Sequence, residues 1–329
     1  MGPNYSLRQG ILRKSIEKNN LDAVVISGRN DIYYYSGYLG FGDDAAFLIV
    51  PSNGSPLLMV SPLSNEAELH FKNTKFFSSL KDVKKEVGFR KVGYDGKNMA
   101  SVLFKKLSRG GKWTDFSDEI KKPRQVKDHW EVSNIRKAQQ VTKRIVRNLP
   151  DLAGMTEEGV ASLIDMEFRK RNLPNAFGTI VSSGPQGAFI HHIPNSRKIR
   201  RDDMVIIDLG CRVAGYCSDH SRTFHEGNGK KERKILSDVK QIQKELMDHI
   251  RPGVQVKDIG TLQGKLFKRF GYKVRHAFGH GVGLSVHEGL GKTFEKNNVV
   301  TVEPGVYIDK FGGCRIEDMF LVTSKAKML

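Results

Sequence analysis

Long apolar runs, cysteines and acidic residues are all scarce in this chain of 329 residues. No stretch of about 18 consecutive apolar residues occurs, so the sequence predicts no transmembrane helix. The first residues lack a basic segment followed by an apolar core, and we therefore expect no secretory signal peptide. The three cysteines lack the spacing of a metal-binding motif. They are typical of free thiols in a reducing cytoplasm, so we expect a cytoplasmic protein.

Basic residues outnumber acidic ones, 54 against 36, which gives a formal net charge of +18. Residues 121–329 contain 37 basic and 23 acidic residues, a net of +14, whereas residues 1–120 contribute only +4. Such an excess is compatible with nucleic acid or another anionic partner. Because no zinc-finger, glycine-rich phosphate-binding or aromatic-stacking motif accompanies the charge, a solvated basic exterior is the expected explanation.

The length exceeds what one hydrophobic core usually organises, and we expect two domains. In the first 120 residues or so, short apolar strands alternate with helical segments, the pattern of a small α/β domain with a mixed sheet. The segment Lys121–Lys127 is charged and contains a proline, as expected of a linker. We therefore assign an N-terminal domain to residues 1–122 and a second, α+β domain to residues 123–329.

The second domain contains two similar series of predicted elements. A helix over about 128–149 and a second helix that Thr156 caps are followed by a strand and a hairpin. Helices over about 230–250 and 256–270 precede another strand and hairpin. This order predicts a weak structural repeat.

The first hairpin brings two aspartates to one face. An apolar, β-branched run leads into it, and the turn falls near Gly215, where glycine tolerates positive φ. Centring the ladder between residues 213 and 214 sets Asp208 directly opposite Asp219. Like charges placed so close repel each other, so the pair predicts a cation between them, and a divalent metal is the obvious candidate.

A second hairpin near the C-terminus repeats this arrangement, because centring it on Lys310 sets Glu303 opposite Glu317. Between the hairpins, His280 stands among glycines that let the backbone approach a site closely. Four carboxylates and one imidazole suit two divalent metals with shared carboxylate ligands. One acidic pair across a hairpin is usually a solvated surface, but two pairs flanked by apolar strands, with a histidine between them, indicate a metal site.

These blocks resemble the pita-bread metallopeptidases, the family of methionine aminopeptidase, aminopeptidase P and prolidase. The motifs that carry the resemblance are Asp-Leu-Gly, Gly-Tyr-Cys-Ser-Asp with Arg-Thr-Phe, Gly-His-Gly-Val-Gly, Val-Glu-Pro-Gly and Arg-Ile-Glu-Asp. They cover roughly residues 128–325 and imply a pita-bread catalytic domain after a prolidase-like N-terminal domain. The family's metal ligands match five positions in order: Asp208, Asp219, His280, Glu303 and Glu317.

The resemblance also implies roles for these five residues. Asp208 would bind one metal, and Asp219 and Glu317 would bridge the two. His280 and Glu303 would complete the second metal site. Glu303 would also accept a proton from the attacking water.

Two histidines outside the metal set match catalytic histidines of the family. His287 would contact the scissile carbonyl, and His191 would steady the leaving group or the tetrahedral intermediate. The family usually has proline where this chain has Ile190. Residue type alone would make either histidine an ordinary loop residue.

An N-terminal domain disfavours methionine aminopeptidase, which usually lacks one. The resemblance then implies a prolidase, which cleaves Xaa-Pro dipeptides, or an aminopeptidase P, which cleaves longer peptides. Many prolidases carry an arginine shortly after the position of His287 to hold the carboxylate of the dipeptide, whereas this chain has Lys292, a point charge without a bidentate fork. Two divalent ions from Mn, Co, Fe and Zn are the expected cofactors, Mn or Co first, in a homodimer with no membrane association.

Two further interpretations stay open. Some members of this fold have lost their metals and act as binding proteins, including nucleic-acid-associated ones, and the basic residues 121–329 would suit that role. Creatinase-like members hydrolyse their substrate without a metal. Because all five ligand positions are intact, we instead predict a dinuclear-metal Xaa-Pro dipeptidase, with aminopeptidase P as the alternative.

Overall fold

The computed structural model describes residues 2–40, 44–88 and 91–329. The chain divides into two compact units, Met1–Arg124 and Gln125–Leu329. Within the described ranges, no helix combines the length and the apolar character that crossing a membrane requires.

The first unit is built on a mixed sheet, as predicted. Its described strands are β1 (Ala23–Ile26), β2 (Ala46–Pro51), β3 (Leu57–Val60), β4 (Thr74–Phe76), β5 (Lys91–Tyr94) and β6 (Lys112–Asp115). Its described helices are α1 (Tyr5–Lys18), α2 (Arg29–Ser36), α3 (Ala67–His70), α4 (Leu80–Val87), α5 (Ser101–Leu107) and α6 (Ser117–Lys121). The strand order is β4-β3-β2-β1-β5-β6, with β2 antiparallel to both of its neighbours and the other pairs parallel. The central β1 is buried along its whole length, because helices and sheet neighbours cover it.

A buried ion pair joins the end of the first unit to α2. The Arg124 guanidinium lies 2.5 Å from Asp31 Oδ1, and the two side chains are only 6% and 1% exposed. Asn98 Nδ2 donates to the other oxygen of Asp31 at 3.2 Å. Burial raises the pKa of the Asp31 carboxyl, and the neighbouring guanidinium opposes that shift. Removing one partner would leave the other charge uncompensated in the interior.

We expect Arg124→Ala to lower the free energy of unfolding by about 3–5 kcal/mol, because it leaves the buried Asp31 carboxylate without its ion-pair partner. The matched control is Lys97→Ala, which breaks an ion pair with Asp118 of the same 2.5 Å length whose side chains are 58% and 88% exposed. That pair should contribute less than about 1 kcal/mol. Urea unfolding of both variants provides the measurement, and equal losses would contradict the role assigned to burial.

The second unit contains four long helices, β-hairpins and short strands. The helices are α7 (His129–Arg147), α8 (Glu157–Arg169), α9 (Lys230–His249) and α10 (Val256–Phe270). The strands are β7 (Ile180–Ser183), β8 (Val205–Leu209), β9 (Arg212–Val213), β10 (Tyr216–Cys217), β11 (His220–Phe224), β12 (Val299–Val302), β13 (Gly305–Ile308), β14 (Gly312–Arg315), β15 (Asp318–Val322) and β16 (Ala326–Met328). All four helices were predicted, with ends that differ by at most two residues.

Capping residues fix where the first two of these helices begin. At α7, Asp128 Oδ1 accepts from the Glu131 amide at 2.8 Å, while Glu131 Oε2 accepts from the Asp128 amide at 2.9 Å. This reciprocal capping box leaves Glu131 Oε1 to accept from the Tyr216 hydroxyl at 3.0 Å, which ties the helix to β10. At α8, Thr156 Oγ1 accepts from the Gly159 amide at 3.1 Å, so the predicted N-cap is confirmed.

The register predicted for the first hairpin is wrong by two residues. Asp208 pairs with Ser221, not with Asp219. The cause is a tight turn in which both Ala214 and Gly215 have positive φ, 48° and 81°, as a two-residue type I′ turn requires. A slip of two residues preserves which face of a strand each side chain occupies. The two aspartates therefore still lie on one side of the hairpin.

The register predicted for the second hairpin is confirmed. Gly305 pairs with Arg315 in the inner ladder and Val302 with Asp318 in the outer one, and both pairs are centred on Lys310. In this register Glu303 and Glu317 oppose each other in the gap between the two ladders.

Hydrogen bonds join the two hairpins side by side. The Arg315 amide donates to Thr223 Oγ1 at 3.0 Å, and that hydroxyl donates to the Arg315 carbonyl at 2.9 Å. The Glu317 amide donates to the Ser221 carbonyl at 3.0 Å. These bonds bring the aspartates of one hairpin next to the glutamates of the other.

Candidate metal centre and active site

Every residue predicted for the metal or catalytic sets lines one cavity of about 770 Å³ in the second unit. Acidic and imidazole groups share it with an apolar wall. The polar lining comprises His191, His192, Asp208, Asp219, Arg275, His276, His280, His287, Glu303, Arg315 and Glu317. The apolar lining includes Phe177, Ile180, Ile190, Ile193 and Val286. Lys292, considered above as a carboxylate-binding charge, is exposed and is not among these residues.

His280 presents an unprotonated nitrogen to two carboxylates. Its Nδ1 lies 3.1 Å from the Gly281 carbonyl, which can only accept, so the ring proton resides on Nδ1. Its Nε2 lies 3.2 Å from Glu303 Oε1 and 3.5 Å from Asp219 Oδ2. Burial lowers the pKa of His280 to about 4, so this nitrogen carries a lone pair at neutral pH. A lone pair facing two carboxylate oxygens is the arrangement of a metal-ligating histidine whose other N–H is held by a carbonyl.

The carboxylates also have ligand atoms available for a cation. Ligand atoms of Asp219, His280 and Glu317 all lie within 4.8 Å of one another. Among the described residues, Asp208 Oδ1 and Glu317 Oε1 are buried without a hydrogen-bond partner. An unpartnered buried carboxylate oxygen is costly. A divalent cation would satisfy both oxygens, so the residues present fit the expected metal group.

Like-charge crowding is visible in the pKa values of three of these carboxyls. Burial, followed by the neighbouring Asp208 and Glu303 charges, raises the pKa of Asp219 well above its usual value. Burial and the Asp219 charge do the same to Glu317. The pKa of Glu303 rises to about 7, mainly through burial, although Arg315 opposes the shift. Without a cation, the site must therefore hold protons near neutral pH.

Arg315 is the counter-charge that sequence reasoning missed. Its Nη2 donates to Asp208 Oδ2 at 2.7 Å, its Nη1 to the Tyr307 hydroxyl at 2.9 Å and its Nε to Ser221 Oγ at 2.9 Å. That serine hydroxyl then donates to Glu317 Oε2 at 3.0 Å. The buried guanidinium thus holds one oxygen of each of two carboxylates, directly or through a hydroxyl. Its position two residues before Glu317 in the Arg-Ile-Glu-Asp motif was the available signal.

His276 is a second missed residue, and its ring orientation is fixed. Its Nδ1 lies 2.8 Å from the Ala277 carbonyl and so carries the proton, which leaves Nε2 to accept from the Tyr307 hydroxyl at 3.0 Å. The same Nδ1 is 3.9 Å from Glu303 Oε2. This histidine therefore borders the carboxylates. Its spacing of four residues before His280 could have indicated it.

The loop that carries His287 is held by a buried ion pair. Its neighbour Glu288 lies 2.9 Å from Lys127 Nζ, with side chains only 6% and 1% exposed. Glu288 Oε1 also accepts from the Leu284 amide at 2.9 Å. The loop closes on itself through paired backbone bonds between Gly281 and Glu288 at 3.1 and 2.8 Å. The result places the His287 ring edge-on to His280, with centroids 4.2 Å apart.

A buried glutamate organises the loop of His191 and His192. Glu157 at the start of α8 accepts from the Ser183 amide at 2.8 Å and lies 2.7 Å from His192 Nε2. Both histidines reach the cavity lining. The substitution of Ile190 for the usual proline of the family leaves His191 in the cavity.

Comparison with known proteins decides the family. The family described as "Metallopeptidase family M24" matches residues 133–324, and the "Creatinase/Prolidase N-terminal domain" matches residues 8–126. The chain belongs to metallopeptidase family M24. Membership confirms the resemblance to pita-bread metallopeptidases, and it implies divalent metal ions at the centre described above.

Individual M24 relatives match nearly the whole chain. The Xaa-Pro dipeptidase of Pyrococcus furiosus is 31% identical over 95% of this chain and 94% of its own length. The crystal structure of the prolidase from Pyrococcus horikoshii superposes with a TM-score of 0.90 at 27% identity, covering 98% of this chain and 97% of that one. The X-Pro aminopeptidase of Thermotoga maritima gives a TM-score of 0.87 at 26% identity, covering 97% and 96%. The predicted pita-bread fold is therefore confirmed.

The raised pKa of Glu303 makes the stability of the chelated protein depend on pH. Between about 4.5 and about 7, the folded site binds a proton that the unfolded chain has released, so the free energy of unfolding falls as the pH rises. Over this pH range, we expect the free energy of unfolding of the wild type to fall by up to about 3 kcal/mol relative to that of the Glu303→Gln variant. Urea unfolding in the presence of a chelator at a series of pH values measures the difference.

Glu245→Gln is the control for this experiment. The Arg269 guanidinium lowers the pKa of Glu245, so any difference that this variant shows should have the opposite sign. If the free energy of unfolding of the wild type rose with pH relative to that of Glu303→Gln across the same range, the assignment of a proton to Glu303 would be wrong.

Proposed function

We propose that this chain is a dinuclear-metal Xaa-Pro dipeptidase. The observation that carries the proposal is the cluster of ligand atoms of Asp219, His280 and Glu317, all within 4.8 Å of one another, in a cavity where Asp208 Oδ1 and Glu317 Oε1 are buried without a hydrogen-bond partner. A relative named Xaa-Pro dipeptidase and a structure named prolidase each match more than nine-tenths of the chain, which supports the substrate class. We further propose that residues 123–329 form the catalytic domain and that residues 1–122 form a separate N-terminal domain.

Each metal ligand has an assigned place in this proposal. Asp208 would hold one metal, Asp219 and Glu317 would be shared by the two, and His280 and Glu303 would hold the other. When bound, divalent ions would supply Lewis acidity for the amide carbonyl and would lower the pKa of a water nucleophile. Mn or Co fits this mixed oxygen and nitrogen set, as do Fe and Zn.

The remaining steps fall to the side chains. Glu303 accepts the proton of the attacking water, and the close approach of its carboxylate to His280 keeps it directed at the centre. His287 donates a hydrogen bond to the scissile carbonyl from a loop that a buried ion pair holds rigid. His191 steadies the leaving amine, which must gain a proton before the amide bond breaks.

Aminopeptidase P activity is the alternative, because the X-Pro aminopeptidase of Thermotoga maritima matches with nearly the same TM-score. Both activities break the same type of bond at the same centre, and they differ in whether the substrate continues beyond the proline. A nucleic-acid-binding role would use the net charge of +14 in residues 121–329. The intact ligand set favours catalysis over that role.

A homodimer in the cytoplasm completes the proposal. All three cysteines are buried free thiols, as expected in a reducing compartment. Burial raises the pKa of each of them, so these thiols stay protonated and unreactive.

Hydrolysis of Ala-Pro and of Ala-Pro-Ala tests the function. We expect cleavage of Ala-Pro to disappear on chelation and to return with Mn or Co. Glu303→Gln should lower kcat by about 100- to 10,000-fold because the proton acceptor is lost, whereas the control Glu245→Gln, outside the cavity, should retain full activity.

The other outcomes separate the alternatives. Cleavage of Ala-Pro-Ala alone would identify an aminopeptidase P. Failure to cleave either substrate with metals bound would overturn the Xaa-Pro specificity. Failure to bind metal would overturn the proposed metallopeptidase activity. Tight, salt-sensitive binding of RNA would then support the nucleic-acid-binding role.

A further inference from the structure

A dipeptide substrate brings a carboxylate into a cavity that already contains four. In Xaa-Pro this group belongs to the proline itself and is therefore only one residue from the bond that is cut. Asp208, Asp219, Glu303 and Glu317 line the same cavity, and the positive charge of two divalent ions would be taken up in balancing these four carboxylates. A dipeptidase therefore needs a cation that faces the cavity and is not already neutralised.

Arg315 cannot meet this need. Its side chain is only 3% exposed, and its three donor nitrogens are committed to Asp208, Tyr307 and Ser221. Moving it toward a substrate would leave the buried Asp208 carboxylate without its partner. Lys292 cannot meet the need either, because it does not line the cavity.

Arg275 lines the cavity and retains its capacity to bind an anion. Its side chain is 46% exposed, and Asp309 Oδ1 lies 3.8 Å from its Nη2, which is beyond hydrogen-bond distance. Asp309 is itself 84% exposed, so this pair contributes little and a substrate carboxylate can replace it. The planar guanidinium offers two parallel donors that match the two oxygens of a carboxylate.

The backbone beside Arg275 is fixed next to the candidate metal centre. The carbonyl of the following residue, His276, accepts from the buried Gln263 Nε2 at 3.2 Å. The ring of His276 is held by Tyr307 and lies 3.9 Å from Glu303. Adjacent Cα atoms are about 3.8 Å apart, so Arg275 is attached roughly one residue length from a side chain that borders the centre.

We propose that Arg275 binds the C-terminal carboxylate of the Xaa-Pro substrate and thereby selects dipeptides over longer peptides. This inference rests on the proposed dipeptidase function. A longer peptide carries a neutral amide at the same position, which lacks both the negative charge and the second oxygen of the bidentate pair.

The test compares Ala-Pro with Ala-Pro amide, which lacks the carboxylate, in wild type and in Arg275→Met with added Mn. We expect the variant to raise KM for Ala-Pro by about 10- to 100-fold with little change in kcat, the range for losing a hydrogen bond to a charged group. Kinetic constants for the amide should be the same in both proteins. Arg275→Lys should give an intermediate KM because it keeps the charge without the fork.

Lys292→Met is the matched control, since it removes one positive charge from the same unit outside the cavity. Its KM for Ala-Pro should stay within about twofold of wild type. An unchanged KM in Arg275→Met, or an equal effect on the amide, would overturn the assignment while leaving the peptidase function intact.

Calorimetric binding of Ala-Pro in a Glu303→Gln background separates the two proposals. If the wild type cleaves neither Ala-Pro nor Ala-Pro-Ala but Arg275→Met weakens the binding of Ala-Pro by about 10-fold or more, the proposed function is wrong and the carboxylate site is supported. If the affinity is the same with and without Arg275, the carboxylate site is rejected whatever the activity.

Discussion

Four carboxylates crowd together in a largely buried space, and most of the second unit is arranged so that they can remain there. Burial and mutual repulsion raise the pKa of Asp219, Glu303 and Glu317, so the centre needs either protons or cations. The positive charge of Arg315, which donates a hydrogen bond to Asp208, offsets part of this repulsion. The hydrogen bonds between the two hairpins keep the carboxylates from moving apart. Divalent ions would relieve the remaining repulsion, which favours their binding.

Buried charges outside the centre hold in place the histidines inside it. Glu288 with Lys127 fixes the loop of His287, and Glu157 fixes the loop of His192. Carbonyl groups set the tautomer of His280, so that its free nitrogen faces the carboxylates. Such supports restrict where a ligand or an acid can move, and catalysis depends on that restriction because small displacements of reacting groups are costly.

The lining of the cavity carries charges of opposite sign at different positions. The carboxylates attract cations, whereas Arg275, whose side chain is 46% exposed, presents a positive group with only a weak ion-pair partner. The overall charge of +18 says little about this site, because its sign is opposite to that of the centre itself. The position of each charge relative to the cavity, rather than the net charge, controls what the site can bind.

The sequence by itself determined which residues form the candidate metal set, because paired carboxylates on apolar hairpins are improbable without a cation. It also determined the four long helices, the mixed sheet and the register of the second hairpin. It did not determine the register of the first hairpin, since the positive φ of Ala214 is not evident from an alanine. Only the tertiary structure revealed Arg315, His276 and Arg275 as neighbours of the centre. The physical reason is that strand periodicity reports a face within one element, whereas contacts between elements depend on how hairpins and loops pack together.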